Sequence, residues 1–133
     1  MPRADRGTLS FPKSARLLRR GEFVAVKQGG RGFADGPLAA SWAARAVGST
    51  PPGIGGMRAR VGIAVSSKVG DAVVRNRVKR RLREAIRHEL HQLPEVDLVL
   101  VARASATRAS VGELRDWLRR AGLRIAADRE RGR

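Results

Sequence analysis

The 133-residue sequence contains no cysteine. Disulfide scaffolds, thiol nucleophiles and cysteine-based zinc sites are excluded with it. Long apolar runs are missing too. The longest, around Val96 to Ala102, is broken by Asp97 and falls far short of a membrane span. The opening residues, Met1-Pro2-Arg3-Ala4-Asp5-Arg6, hold no apolar stretch, so no secretory signal is expected and the cytoplasm is the default location. Enzyme signatures are absent: there is no glycine-rich phosphate loop, no H-E-x-x-H and no G-x-S-x-G. His88 and His91 lack a third ligand nearby in sequence and read as surface histidines. Asp71, Glu84, Glu89, Glu95 and Asp97 show no metal-ligating spacing.

Acid is also scarce. Twelve Asp and Glu face 28 Lys and Arg, a formal net charge of +16. The isoelectric point, near 11.9, suits a protein that sits on a polyanion, because each neutralised phosphate releases condensed counterions. Arginine supplies 24 of the 28 cations, and its planar fork fits phosphates and base edges better than a lysine point charge. Neither a membrane nor a small-molecule substrate is called for. Hydrophobic residues make up 42%, enough for one modest core in a single domain.

The chain divides into a flexible basic arm over 1–12, a folded domain over 13–126 and a charged, frayed tail over 127–133. Residues 14–28 are predicted helical, with Leu17, Leu18, Val24 and Ala25 on one face. Arg16, Arg19, Arg20, Phe23 and Lys27 fall on the other. Strands are predicted over 31–35 and 38–47, with a Gly/Pro-rich loop over 48–58. Residues 59–66 alternate: Val61, Ile63 and Val65 share one face, Arg60, Gly62, Ala64 and Ser66 the other. Residues 72–93 form the clearest helix, striped by Val78, Leu82, Ala85, Ile86 and Leu93 and stopped by Pro94. A buried strand follows at 96–103. Ser110 and Glu113 make a capping box for a last helix that buries Val111, Leu114, Leu118, Ala121 and Ile125. The order α-β-β-β-α-β-α gives an α+β class: a single-domain α/β sandwich with helices on one face of the sheet.

From Arg75 to Arg87 there are seven basic residues and one acid, Glu84. Cations near a helix N-terminus oppose its dipole. Arg77 with Arg81, and Lys79 with Arg83, are like charges at i,i+4, each pair costing about 0.2–0.5 kcal/mol. A solvated face of an amphipathic helix accounts for the charge without a partner, but not for this crowding ahead of any acid. A nucleic-acid backbone would neutralise it. The lead-in Ser66-Ser67-Lys68-Val69-Gly70-Asp71 joins a strand to this helix through small residues. Phe23, framed by arginines, is suited to stack an unpaired base, and equally to pack on the sheet. Trp42 reads as core, and Phe11 fits either core or contact.

These segments resemble the protein subunit of bacterial ribonuclease P. The resemblance is carried by Phe11-Pro12-Lys13 through Arg16-Leu17, by Glu22-Phe23 and by Arg60-Val61-Gly62-Ile63-Ala64-Val65-Ser66. It continues through Lys68-Val69-Gly70, the run Ala72-Val73-Val74-Arg75-Asn76-Arg77-Val78-Lys79-Arg80-Arg81-Leu82-Arg83-Glu84, and Asp97-Leu98-Val99-Leu100-Val101-Ala102-Arg103. The match runs in unbroken order over about 11–125.

The resemblance implies a ribosomal-protein-like fold with a left-handed βαβ crossover. It implies a basic protein that assists a catalytic RNA, the ribonuclease P RNA. That RNA, using Mg²⁺ held mainly by itself, removes the 5′ leader of precursor tRNA, and no protein residue is catalytic. Carried over, Lys68, Arg75, Asn76, Arg77, Lys79, Arg80, Arg81 and Arg83 would contact RNA backbone. Phe11, Arg16, Arg20, Phe23, Lys27, Gly62, Ala64 and Ser66 would line a cleft for the single-stranded leader.

The chain departs from the family pattern at Ser67-Lys68, at Asp71, at Lys27 (an aromatic elsewhere), near Ser41/Trp42 (a tyrosine elsewhere) and in the long 48–58 loop. The cleft is thus expected to rely more on charge than on stacking. Two other classes suit the composition. One is a structural RNA- or DNA-binding protein of ribosome or nucleoid. The other is a self-sufficient metal-dependent nuclease, against which the dispersed carboxylates argue.

Overall fold

Four strands, β1 (Arg31–Asp35), β2 (Leu38–Ala44), β3 (Arg60–Ala64) and β4 (Val96–Ala102), form one sheet in the order β1-β2-β4-β3. This is a computed structural model describing residues 11, 15–17, 20–44 and 59–131. Most of the 1–12 arm, all of the 48–58 loop and the last two tail residues lie outside the described residues. Three helices accompany the sheet: α1 (Arg20–Gly29), α2 (Ala72–Glu89) and α3 (Val111–Arg131). Short 3₁₀ turns follow α2 at Leu90–Gln92 and precede α3 at Ala104–Arg108. The architecture is α+β in the expected order.

β1 and β2 form an antiparallel hairpin, turning at Gly36, whose φ of 57° suits a residue without a side chain. β2 pairs antiparallel with β4, and β3 pairs parallel with β4, the two joined through α2. β4 is therefore central, and its near-continuous apolar sequence suits a strand buried on both faces. Leu98 and Leu100 are shut from solvent on one face, Val99 on the other.

The helices occupy both faces, not one. α2 and α3 pack with Leu38, Ala40, Trp42, Val61, Leu98 and Leu100 in the main core. α1 lies on the opposite face, where Phe23 and Val26 meet Leu17, Ala43, Val99 and Val101. Successive strand residues point to opposite faces, and both faces of β4 are apolar, so both require cover.

The first helix begins at Arg20, later than the helical periodicity predicted. Residues 15–17 instead run beside β3: Arg16 bridges Val61 in parallel, and the Leu17 amide donates to the Val61 carbonyl at 3.0 Å. The edge of β3 offers unpaired backbone groups, and this segment satisfies them. The predicted α1 face is corrected accordingly: Val26 is buried, whereas Val24 is 40% exposed and Ala25 is exposed.

α2 buries Val78, Leu82, Ala85 and Ile86, the expected stripe, and Leu93 joins the core beyond the 3₁₀ turn. The capping box closes: the Ser110 amide donates to Glu113 Oε1 at 3.0 Å, and the Glu113 amide donates to Ser110 Oγ at 3.1 Å. α3 buries Leu114, Leu118, Ala121 and Ile125 as expected, with Trp117 and Gly122 in addition, while Val111 is only half-buried. It continues to Arg131, so residues 127–131 are helical rather than frayed.

Gly62 holds α1 against the sheet. A Cβ there would sit 2.6 Å from Phe23 Cζ, 2.8 Å from Phe23 Cε2 and 3.0 Å from Leu17 Cβ. Gly62→Ala is expected to lower stability by about 1–3 kcal/mol, read from the urea midpoint. An unchanged midpoint would show that the Phe23 ring yields without cost.

Candidate nucleic-acid interface

α2 starts at an N-cap. Asp71 accepts a hydrogen bond from the Val74 amide at 3.0 Å through its side chain, and its carbonyl accepts one from the Arg75 amide at 2.9 Å. This accounts for the acid that departs from the family pattern: a carboxylate here satisfies orphan amides and favours the positive end of the helix dipole. With Val78, Leu82, Ala85 and Ile86 facing the sheet, helical geometry turns Asn76, Arg77, Arg80 and Arg83 to solvent, and all four are exposed. The side chains of Arg77, Arg80 and Arg83 have no ion pair or hydrogen bond among the described residues.

The other basic residues of this run are half-buried. Arg81 donates from one terminal nitrogen to the carbonyls of Thr107, at 3.0 Å, and Ala109, at 3.4 Å. It thus ties α2 to the turn before α3. Arg75 lies beside the core, its Nε buried with no partner among the described residues. Lys79 is half-buried and Lys68, in the lead-in turn, is exposed.

The single acid of the run does not neutralise these exposed arginines. Glu84 faces the C-terminal side, accepting from Arg87 at 2.5 Å and lying 2.9 Å from His88 Nε2. Its carboxyl is held below the usual glutamate pKa, chiefly by the hydrogen bond from Arg87; burial opposes this, and the hydrogen bond with His88 adds a lesser lowering. His88 is thus a paired, half-buried residue, while His91 is exposed.

The structure divides the second predicted group. Phe23 is half-buried with its ring on Gly62, so packing accounts for it. Phe11 lies across the sheet from it, 7% exposed in the core beneath α2 and α3. This corrects the expectation that both rings line one cleft. Residues 15–17 run along the edge of β3, with Phe11 and Ala15 in one core and Leu17 in the other. Arg16 turns back on Phe11, with its guanidinium 4.9 Å over the ring and hydrogen bonds of 3.1 and 2.8 Å to the Phe11 carbonyl. Arg20 and Lys27 are exposed on α1, Gly62 is buried, Ala64 is half-buried and Ser66 is exposed.

Beside α1 a groove of about 410 Å³ is lined by Gly21, Glu22, Ala25, Val26, Ala43, Ala44, Arg60 and Asp97. Arg60 bridges its polar side. It meets Asp97 through two bonds of 2.8 and 2.7 Å, and Glu22 at 3.2 Å. The Asp97 hydrogen bond is the main reason the Arg60 pKa is raised.

Sequence reasoning passed over several of these residues. Glu89 is 1% exposed and accepts from Arg115 at 2.8 Å and Arg119 at 3.2 Å, clamping α3 to α2. A signal was present, because Glu89 falls on the apolar stripe between Ile86 and Leu93. The Arg60–Asp97–Glu22 bridge joins residues far apart in the chain and has no local signature.

The fold and its charge define a small α+β protein that presents a row of exposed, unpaired arginines on one anchored helix. The Ribonuclease P family model matches residues 11–126. The Ribonuclease P protein component of Xanthomonas oryzae is 43% identical over 117 residues, covering 84% of this chain and 74% of that one. That of Gluconacetobacter diazotrophicus is 43% identical over 121 residues, covering 86% and 97%. Among solved structures, the RNase P protein of Staphylococcus aureus superimposes with a TM-score of 0.65 at 24% identity, covering 86% of this chain and 96% of that one. The Thermotoga maritima RNase P protein gives 0.63 at 24% identity, covering 79% and 96%. The chain belongs to the ribonuclease P protein family. Its role is that of the protein subunit of ribonuclease P, acting with an RNA partner in tRNA 5′-end processing.

The Glu84 contacts yield a pH prediction. A carboxylate with a lowered folded-state pKa contributes stability that is present above its unfolded value, about 4.3, and is lost as pH falls through the folded value. In an NMR titration, Glu84 should titrate below the usual glutamate range. Arg87→Gln should raise the midpoint more than His88→Gln does, and the reverse order would remove the Arg87 bond as the main cause.

Proposed function

We propose that α2 is the docking surface for the catalytic RNA of ribonuclease P. The observation that carries this is the exposure of Arg77, Arg80 and Arg83 on a helix whose other face is locked into the core, with no ion pair to an acid among the described residues. Phosphates would take up that charge, with Asn76 and Lys68 beside it and Lys79 and Arg75 at the flank. Arg81 contributes mainly by fixing the helix against the turn before α3.

In this reading the RNA performs the hydrolysis. A precursor tRNA phosphodiester is cleaved to release the 5′ leader, and Mg²⁺ held mainly by the RNA supplies the metal chemistry. The protein contributes positioning and charge, in the cytoplasm. His88 is held by Glu84, and Glu89 is enclosed by two arginines, which supports chemistry on the RNA rather than on these side chains. The leader would run along the exposed side of α1 past Arg20, Lys27, Ala64 and Ser66. It would be held by charge more than by stacking, because Phe23 already rests on Gly62.

Arg77→Ala and Arg80→Ala should each lower the slope of log K against log salt by about one unit for the catalytic RNA. Arg81→Ala should move thermal stability more than that slope. An unchanged slope in the first two variants would take α2 out of the interface. Leader removal at low Mg²⁺ should require protein and RNA together, and cleavage by protein alone would place the active site on this chain.

A further inference from the structure

At the opposite edge of the sheet from β3, β1 and α3 build a second cationic site that the α2 surface does not include. Trp117 is fixed by donating its Nε1 hydrogen to the Asp35 carbonyl at 2.7 Å. Phe33 stacks on it, with ring centroids 5.8 Å apart and planes at 22°. The Arg124 guanidinium lies 4.2 Å over the Phe33 ring. These residues, with Asp35, Arg120 and Ala121, surround a cleft of about 100 Å³. Trp117, Arg120, Ala121 and Arg124 recur at three- and four-residue spacing, so one face of α3 supplies most of it.

We propose that this site takes an unpaired base of the ribonuclease P RNA, stacked on the outer face of Arg124. A guanidinium is weakly hydrated on its faces and stacks on both sides. One side is covered by Phe33, while Arg124 is exposed and has no carboxylate partner among the described residues. The Phe33 contact favours one placement of the guanidinium before any ligand arrives, which reduces the ordering cost of binding. Arg120 stands one turn away, 3.5 Å from Asp35, and the two side chains are 66% and 64% exposed. A pair so open to water is weak, so Arg120 can turn to a phosphate. Arg31, exposed on β1, adds a further cation on this side. Stacking plane and flanking cations together are what a nucleotide in a single strand requires.

The RNA is the occupant because α3 lies directly beside α2 on the same face of the sheet. This inference therefore rests on the reading that RNA covers α2. An RNA seated on Arg77, Arg80 and Arg83 would reach this site by crossing α3, whose Arg115 and Arg119 face α2 and whose Arg120 and Arg124 face β1.

The test measures affinity of the full chain for the ribonuclease P RNA across a salt series. Arg124→Gln should weaken binding about 5- to 30-fold. Arg124→Lys keeps the charge but loses the stacking plane, and should weaken binding at an unchanged salt slope. Arg120→Gln should lower the slope by about one unit. Thermal melts check that each variant remains folded. Folded Arg124→Gln with wild-type affinity would overturn the proposal and leave an internal clamp. Full recovery in Arg124→Lys would overturn the stacked base. If Arg77→Ala and Arg80→Ala also bound as wild type, the α2 reading would fail as well, whereas loss in those variants alone would confine the failure to this second site.

Discussion

Leu98 and Leu100 on one face of β4, and Val99 on the other, are shut from solvent, so this strand has to be paired on both edges and covered on both faces. Full burial of a Leu or Val side chain is worth about 1.5–3 kcal/mol, and β4 concentrates several such residues. The remaining elements are placed by that demand. β2 and β3 flank it, α1 closes one side, and α2 with α3 close the other. Because α2 has to present Val78, Leu82, Ala85 and Ile86 inward, its arginines have no choice of direction.

The acids complete this arrangement by acting inside the protein. Asp71 caps α2, Glu84 engages Arg87 and His88, Glu89 clamps Arg115 and Arg119, and Asp97 with Glu22 holds Arg60. Each carboxylate stabilises a junction between elements or the end of a helix. The exposed arginines of α2 are left without counter-charge among the described residues. Exposed cations remain elsewhere on the surface, but on α2 this pairing leaves a rigid row of arginines unbalanced. Family membership is consistent with that division of labour: a protein partner of an RNA needs a rigid positive surface more than a reactive side chain.

The α2 surface and the α1 side were legible to different degrees. In α2, the apolar period, the single acid and the Pro94 stop all appear in consecutive residues, so helix, buried stripe and outward arginines follow from local geometry. The capping box at Ser110 and Glu113 was legible for the same reason. Before Arg20 the local pattern misled. Leu17 and Leu18 extend a helical periodicity, but the open edge of β3 draws residues 15–17 into backbone pairing. Edge pairing outweighed helical propensity, as tertiary context often does.

The sequence by itself determined the class, the order of the elements, the family and the charged helix, because each depends on residues close together in the chain. Only the tertiary structure decided which side of the sheet each aromatic occupies. Phe11 and Phe23 are twelve residues apart and read alike as ringed neighbours of arginine, yet they lie in opposite cores. The same holds for the stack of Trp117, Phe33 and Arg124, which joins an edge strand to a helix some eighty residues later. Contacts of that kind arise from sheet order and helix packing, and no local spacing encodes them.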